Sequence, residues 1–187
     1  MSDVGLGAAG EAAKGRHLDG KWLLPLLNTT TQPVLTSLKN RALREKIFKA
    51  SLSRSDTDGP NDNRALISEM AQLRAQRAKL LGYPTYADYT LEDQMAKNPQ
   101  AANDLMTRVA APAVVNAKAE AAKIQTLINT QAAVKHAMGF KLQPWDWDFY
   151  AEQVRKAEFD LDESQIKPYF ELNRVLNDGV FFADNKL

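Results

Sequence analysis

Residues 143–176 read QPWDWDFYAEQVRKAEFDLDESQIKPYFELNRVL. Two Trp, two Tyr and three Phe fall in this stretch, so it carries the densest supply of core material in the chain. Its pattern describes two helices joined by a tight connector. Pro144 stops whatever precedes it, and Asp146 suits the cap of the next helix. Trp147, Tyr150, Ala151 and Val154 then recur at helical spacing and make one apolar face, with Gln153, Arg155 and Lys156 on the other side. Phe159 and Leu161 flank an acidic turn, and Asp162 with Gln165 three residues on has the form of a capping box. Pro168 ends that short helix, after which Tyr169, Leu172, Val175 and Leu176 resume an apolar stripe. The aromatics read as core anchors in preference to ligand contacts.

The rest of the chain extends the helical reading. Residues 2–14 are Ala-rich, with Gly5, Gly7 and Gly10 working against helix. WLLPLL at 22–27 is the best strand candidate, with Pro25 confining it to an edge. Asn28, Thr29 and Thr30 form a polar turn. Pro33 suits the first turn of a helix through Leu35 and Leu38. A helix over 41–53 carries Leu43, Ile47 and Ala50 on one face. On that helix Arg44 and Lys46 read as a solvated or salt-bridged face rather than a substrate site, with Glu45 beside them. Residues 55–61 are loop by composition.

The cleanest helix spans 63–81. Asp62 suits its cap, Leu66, Ile67, Met70, Leu73 and Leu80 make its stripe, and Gly82 stops it. Met70 reads as core, not metal ligand. Tyr83, Tyr86 and Tyr89 read as filling between two helices. Asn98 and Pro99 start a further helix reaching Thr130, about 50 Å at 1.5 Å per residue. Its apolar positions include Ala102, Leu105, Met106, Val109, Ala113, Ala117, Ile124 and Ile128, and Pro112 predicts a bend. The architecture is therefore all-α, a multi-helix lobe with one short extended segment near 22–27. Residues 1–17 read as a weakly ordered N-terminal segment and 18–187 as the lobe.

Three segments together resemble the M3 family of zinc metallopeptidases, which includes thimet-type oligopeptidases, oligopeptidase A and bacterial peptidyl-dipeptidases. They are LDGKWLLPLLNTTTQPVLTSLKNRALREKIFKA (18–50), NDNRALISEMAQLRAQRAKLLGYPTYADYTLEDQMAKNP (61–99) and the opening stretch from Pro144. The likeness runs collinearly from Leu18 to Leu187. NTTTQP and PWDW are most similar to the peptidyl-dipeptidase branch. The resemblance implies a parent that is mainly helical, encloses its active site in a deep channel and hydrolyses short peptides with a zinc-activated water. It also implies that the zinc ligands, the general base and the transition-state stabilisers lie beyond the region matched here.

That chemistry needs an HExxH helix, because His at i and i+4 share one face and the intervening Glu can activate the metal-bound water. The chain has two His, His17 and His136, and no Cys. Neither His begins such a motif. No catalytic, cofactor-binding or metal-binding residue is therefore assigned in this chain, and zinc belongs to the parent enzyme. The reading is a non-catalytic piece of a larger peptidase, inactive alone. The competing reading is a stand-alone helical interaction module that lacks catalysis.

Other chemistry finds no foothold. Neither His has Glu three residues before it, as a carboxylate-bridged di-metal bundle requires. There is no G-x-S-x-G elbow, P-loop or dinucleotide fingerprint. Asp146/Asp148 and Asp160/Asp162 are ordinary helix-start pairs. Lys plus Arg is 24 against 23 Asp plus Glu, a balance that points away from nucleic acid and anionic membranes. No segment approaches the roughly 20 apolar residues of a membrane span, and the first residues do not form a signal peptide, so cytoplasm is the expected compartment. WLLPLL and the closing GVFFADNKL are expected to expose apolar surface through which the chain self-associates.

Overall fold

The computed structural model describes residues 3–26, 32–159 and 166–187. It is all-α, with no strand among the described residues. The elements are α1 (Asp3–Lys14), a 3-10 turn (Pro33–Thr36), α2 (Arg41–Leu52), α3 (Arg64–Leu80), α4 (Tyr86–Leu91), α5 (Pro99–Val134), a second 3-10 turn (Pro144–Asp146) and α6 (Trp147–Phe159). The last described segment comprises a 3-10 turn (Lys167–Phe170), an α turn (Leu172–Arg174), a π-helical stretch (Val175–Phe181) and a final turn (Phe182–Asp184). The expected turn at Asn28–Thr30 and capping box of Asp162 with Gln165 lie outside the described residues, as do Leu27, Asp160 and Leu161.

Local chemistry sets the helix ends. Asn40 accepts from the Leu43 N–H at the start of α2, Thr85 from Asp88 at α4, and Asn98 from Ala101 at α5, where Pro99 occupies the first turn. Each side chain satisfies a donor that the helix cannot. The start of α3 differs from expectation. Asn63 is the cap residue and makes no side-chain cap bond. Asp62 instead accepts from the Arg64 N–H at 3.0 Å and from its guanidinium, which holds its carboxyl below the usual range. Gly82 ends α3 as expected, at φ +84°. Tyr83 N–H donates to Ala78 O and Gly82 N–H to Lys79 O, the paired bonds of a Schellman motif.

Two apolar clusters hold the fold. The first buries Leu35, Leu38 and Ile47, with Leu24, Leu26, Val34 and Phe48 packed around them. Here the strand expected at 22–27 is corrected. Residues 22–26 are irregular, and they find partners other than a strand. Leu23 N–H donates to Ala9 O of α1, the Arg54 guanidinium donates to Leu26 O, and Leu24 and Leu26 lean on the first cluster. A Pro in a short run leaves too few ladder donors to make sheet worthwhile when helices offer an apolar surface. Trp22 points away and is 65% exposed.

The second cluster buries Ile124, Ile128 and Tyr150, flanked by Leu127, Phe140, Leu142, Trp147, Phe149, Ala151 and Val154. It joins the C-terminal half of α5 to α6, whose apolar face is the one its sequence periodicity predicts. Polar ties fasten the seam. Gln125 donates to Phe140 O and accepts from the Leu142 N–H, Gln131 donates to Gln153, and Lys123 pairs with Glu158.

The stripes of α3 and of the first half of α5 depart from the core expected of them. Leu66, Ile67, Met70, Leu73 and Leu80 are all exposed, as are Leu105, Met106, Val109, Ala113 and Ala117. Ala78 is the buried residue of α3. α3 packs on α4 through Tyr83, Tyr86 and Tyr89, whose rings meet edge-on or tilted at 5.3 and 5.9 Å and fill the corner as predicted. Pro168 lies in the first turn of a 3-10 segment, and the short helix it was expected to end lies outside the described residues.

Candidate functional site

The most constructed polar site lies between the two clusters. Arg41 and Arg44 are three residues apart, so α2 presents both on one face. Opposite them the turn Pro144–Asp146 delivers a single carboxylate. Asp146 Oδ2 accepts from Arg41 Nη2 at 2.9 Å, and Oδ1 accepts from Arg44 Nη2 at 2.8 Å. Arg41 Nε donates to both oxygens at 3.1 Å. Asp146 is 0% exposed and Arg44 1%. Arg44 Nη1 also donates to Leu38 O at 2.9 Å and Lys39 O at 3.2 Å. Aromatic faces complete the shell: Arg41 lies 4.1 Å over Phe140 and Arg44 4.3 Å over Phe149. A planar guanidinium stacks on a ring while donating in its own plane, which a lysine could not do.

This arrangement refines two expectations. The salt-bridged reading of Arg44 holds, but its partner is Asp146, 102 positions away, rather than neighbouring Glu45, which pairs with Lys49. Lys46 is simply exposed. Asp146 was expected to cap the following helix. It instead accepts from the Gln143 N–H and closes its own turn. The clamp is chemically a lock: its donors face a carboxylate and two backbone carbonyls, and its reach spans both apolar clusters.

A second site is open. Leu66, Glu69, Met70, Leu73, Arg74 and Arg77 line a shallow groove on the outer face of α3. Arg74 sits 5.4 Å over Tyr86 and Arg77 5.2 Å over Tyr89, and Arg77 donates to the Tyr89 hydroxyl at 3.1 Å. Tyr83 donates to Glu92, and that bond raises its phenol above the ordinary value.

Both histidines have a backbone explanation. His17 and His136 lie at φ +57° and +49°, in the left-handed region. Leu18 N–H donates to Ala13 O and His17 N–H to Lys14 O; Ala137 N–H donates to Ala132 O and His136 N–H to Ala133 O. These are two further Schellman motifs, each with His where Gly is usual, and His tolerates that conformation better than most residues.

A family model described as Peptidase family M3 matches residues 34–187. The chain belongs to peptidase family M3. A dipeptidyl carboxypeptidase of Escherichia coli (strain K12) is 51% identical over 187 residues, all of this chain and 27% of that protein. The dipeptidyl carboxypeptidase of Salmonella typhimurium is 44% identical over the same span, and oligopeptidase A of E. coli is 34% identical over 97% of this chain and 26% of its own length. The chain thus spans about a quarter of the length of the curated relatives it matches.

Family M3 is in general zinc-dependent. The residues present do not fit a zinc centre. Both His are exposed helix-ending residues, and no three His, Cys, Asp or Glu among the described residues come together as a ligand set. Nor is any helix among the described residues long and apolar enough to cross a membrane.

Proposed function

We propose that this chain is a non-catalytic helical part of an M3 oligopeptidase or peptidyl-dipeptidase, inactive alone, whose complete fold hydrolyses short peptides with zinc in the cytoplasm. The observation that carries the reading is the collinear likeness of the whole chain to about a quarter of a dipeptidyl carboxypeptidase. The placement of His17 and His136 supports it, because they end two different helices, α1 and α5, and do not form the paired ligands of one helical face. The role of the chain is then architectural. The clamp of Arg41, Arg44 and Asp146 fixes α2 against α6, and α6 in turn holds the C-terminal half of α5. That gives the complete enzyme a rigid helical wall.

The test is a Zn²⁺ titration with a peptidase assay on the isolated chain. The expected outcome is no stoichiometric site of sub-micromolar affinity and no hydrolysis of short peptides. Hydrolysis abolished by a chelator would overturn the reading.

A further inference from the structure

The outer face of α3 carries exposed apolar side chains with two arginines at one end. Leu66, Met70 and Leu73 recur at i, i+4 and i+7, with Glu69, Arg74 and Arg77 on the same stripe. Leu73 is 55% exposed and Met70 44%. A surface helix with such a stripe normally turns it to a core. Here α4 packs near the C-terminal end of α3, where Tyr86 and Tyr89 meet Arg74 and Arg77, and Leu66, Met70 and Leu73 are left facing out. The two guanidiniums at its end lie against Tyr86 and Tyr89, which fixes them in place without neutralising them. Neither pairs with a carboxylate among the described residues. The first half of α5 repeats the situation, with Leu105, Met106, Val109, Val114 and Val115 all exposed. Exposed apolar stripes on two helices are unusual on a free-standing soluble chain and point to binding faces.

We propose that this face of α3 receives an amphipathic helix bearing carboxylates, supplied by the three quarters of the M3 polypeptide that the relatives carry outside the matched region. The inference rests on the reading that the chain is one part of a larger M3 fold. Two observations choose this occupant over a second copy of the chain. The relatives hold a large excess of polypeptide beyond what this chain matches. The groove also joins apolar side chains to two unneutralised cations against one carboxylate, Glu69. In an antiparallel second copy each Glu69 can answer only one of the two cations facing it, whereas an acidic amphipathic helix complements the stripe and both cations.

The experiment compares the isolated chain with a chimera in which it replaces the matched quarter of the E. coli dipeptidyl carboxypeptidase. Met70 serves as the probe, through its rate of oxidation by hydrogen peroxide. The expected result is that oxidation slows by roughly tenfold or more in the chimera, because burial denies the oxidant access. The double substitution R74E/R77E is expected to leave the melting temperature of the isolated chain nearly unchanged and to lower that of the chimera. Equal Met70 oxidation in both proteins, or R74E/R77E acting alike in both, overturns the proposal. So does Met70 protection in the isolated chain that rises with its concentration and tracks a dimer by sedimentation, which makes a second copy the occupant. If the chimera does not fold, the isolated chain is co-expressed with the separately tagged remainder of the E. coli protein. Co-purification weakened by M70D supports the proposal, and failure of a soluble remainder to bind sinks it. Neither readout depends on the zinc and hydrolysis assay of the isolated chain, so the two readings fail separately.

Discussion

Helices α6 and α3 both carry apolar residues at helical spacing, more sharply segregated on α6, and these meet opposite fates. On α6, Tyr150 is buried with Ala151 and Val154 packed beside it, against Ile124 and Ile128 of α5. On α3, Leu66, Met70 and Leu73 face outward. The two differ in what lies opposite. The connector from α5 to α6 is short and runs through a turn that the Arg–Asp clamp fastens to α2, so α6 is brought back against α5. The short α4 packs near the C-terminal end of α3, against Arg74 and Arg77, and leaves Leu66, Met70 and Leu73 uncovered. Periodicity states which face of a helix is apolar. It does not state whether the partner for that face lies in the same chain.

The contrast can be attacked by mutation, and the clamp should give the largest effect. Removing Asp146 leaves Arg44 buried with no counter-charge, so D146A is expected to destabilise by about 3–5 kcal/mol, read from urea unfolding. A loss below about 1 kcal/mol would mean that the clamp is incidental to the joining of the two clusters. Next comes a matched pair of truncations. Ile124 is 2% exposed, and I124A should lose about 2–5 kcal/mol through the missing contacts and the cavity left behind. L73A on the open face of α3 should stay within about 0.5 kcal/mol in the isolated chain. Equal losses at the two positions would erase the distinction between the two regions.

The smallest expected effect is electrostatic. Glu171 accepts from the backbone N–H of Arg174 at 2.7 Å and of Asn173 at 3.1 Å, and these bonds hold its carboxyl below the usual range. A depressed folded-state value means that the cap is in force above the unfolded-state value. It is lost as pH falls through the folded-state value. Amide shifts over 172–184 should therefore move towards coil only in strong acid, and E171Q should abolish that acid step while weakening the cap at neutral pH. An acid step that survives E171Q would assign it to another group.

Helix positions, the Asn98 cap and the Gly82 stop were legible in the sequence, because each depends on residues within a turn or two of one another. The apolar face of α6 was legible for the same reason. The clamp was not. Arg41 and Asp146 are 105 positions apart, and nothing local distinguishes a carboxylate that caps a helix from one that turns inward to a pair of arginines. The strand expected at 22–27 failed for a related reason: an apolar run records the need for burial, and whether sheet or helix surface meets it depends on what else is near.

By itself the sequence determined the all-α class, most helix boundaries, and the absence of an HExxH pair in these 187 residues. These follow from local sterics, hydrogen-bond satisfaction and residue identity, which act over a few positions of chain. Only the tertiary structure decided that Asp146 is buried between two arginines, that both histidines end helices, and that the stripe of α3 faces outward. Burial and ion pairing are set by what the fold brings opposite a side chain, and that partner can be a hundred residues away or, as proposed for α3, in another part of the enzyme.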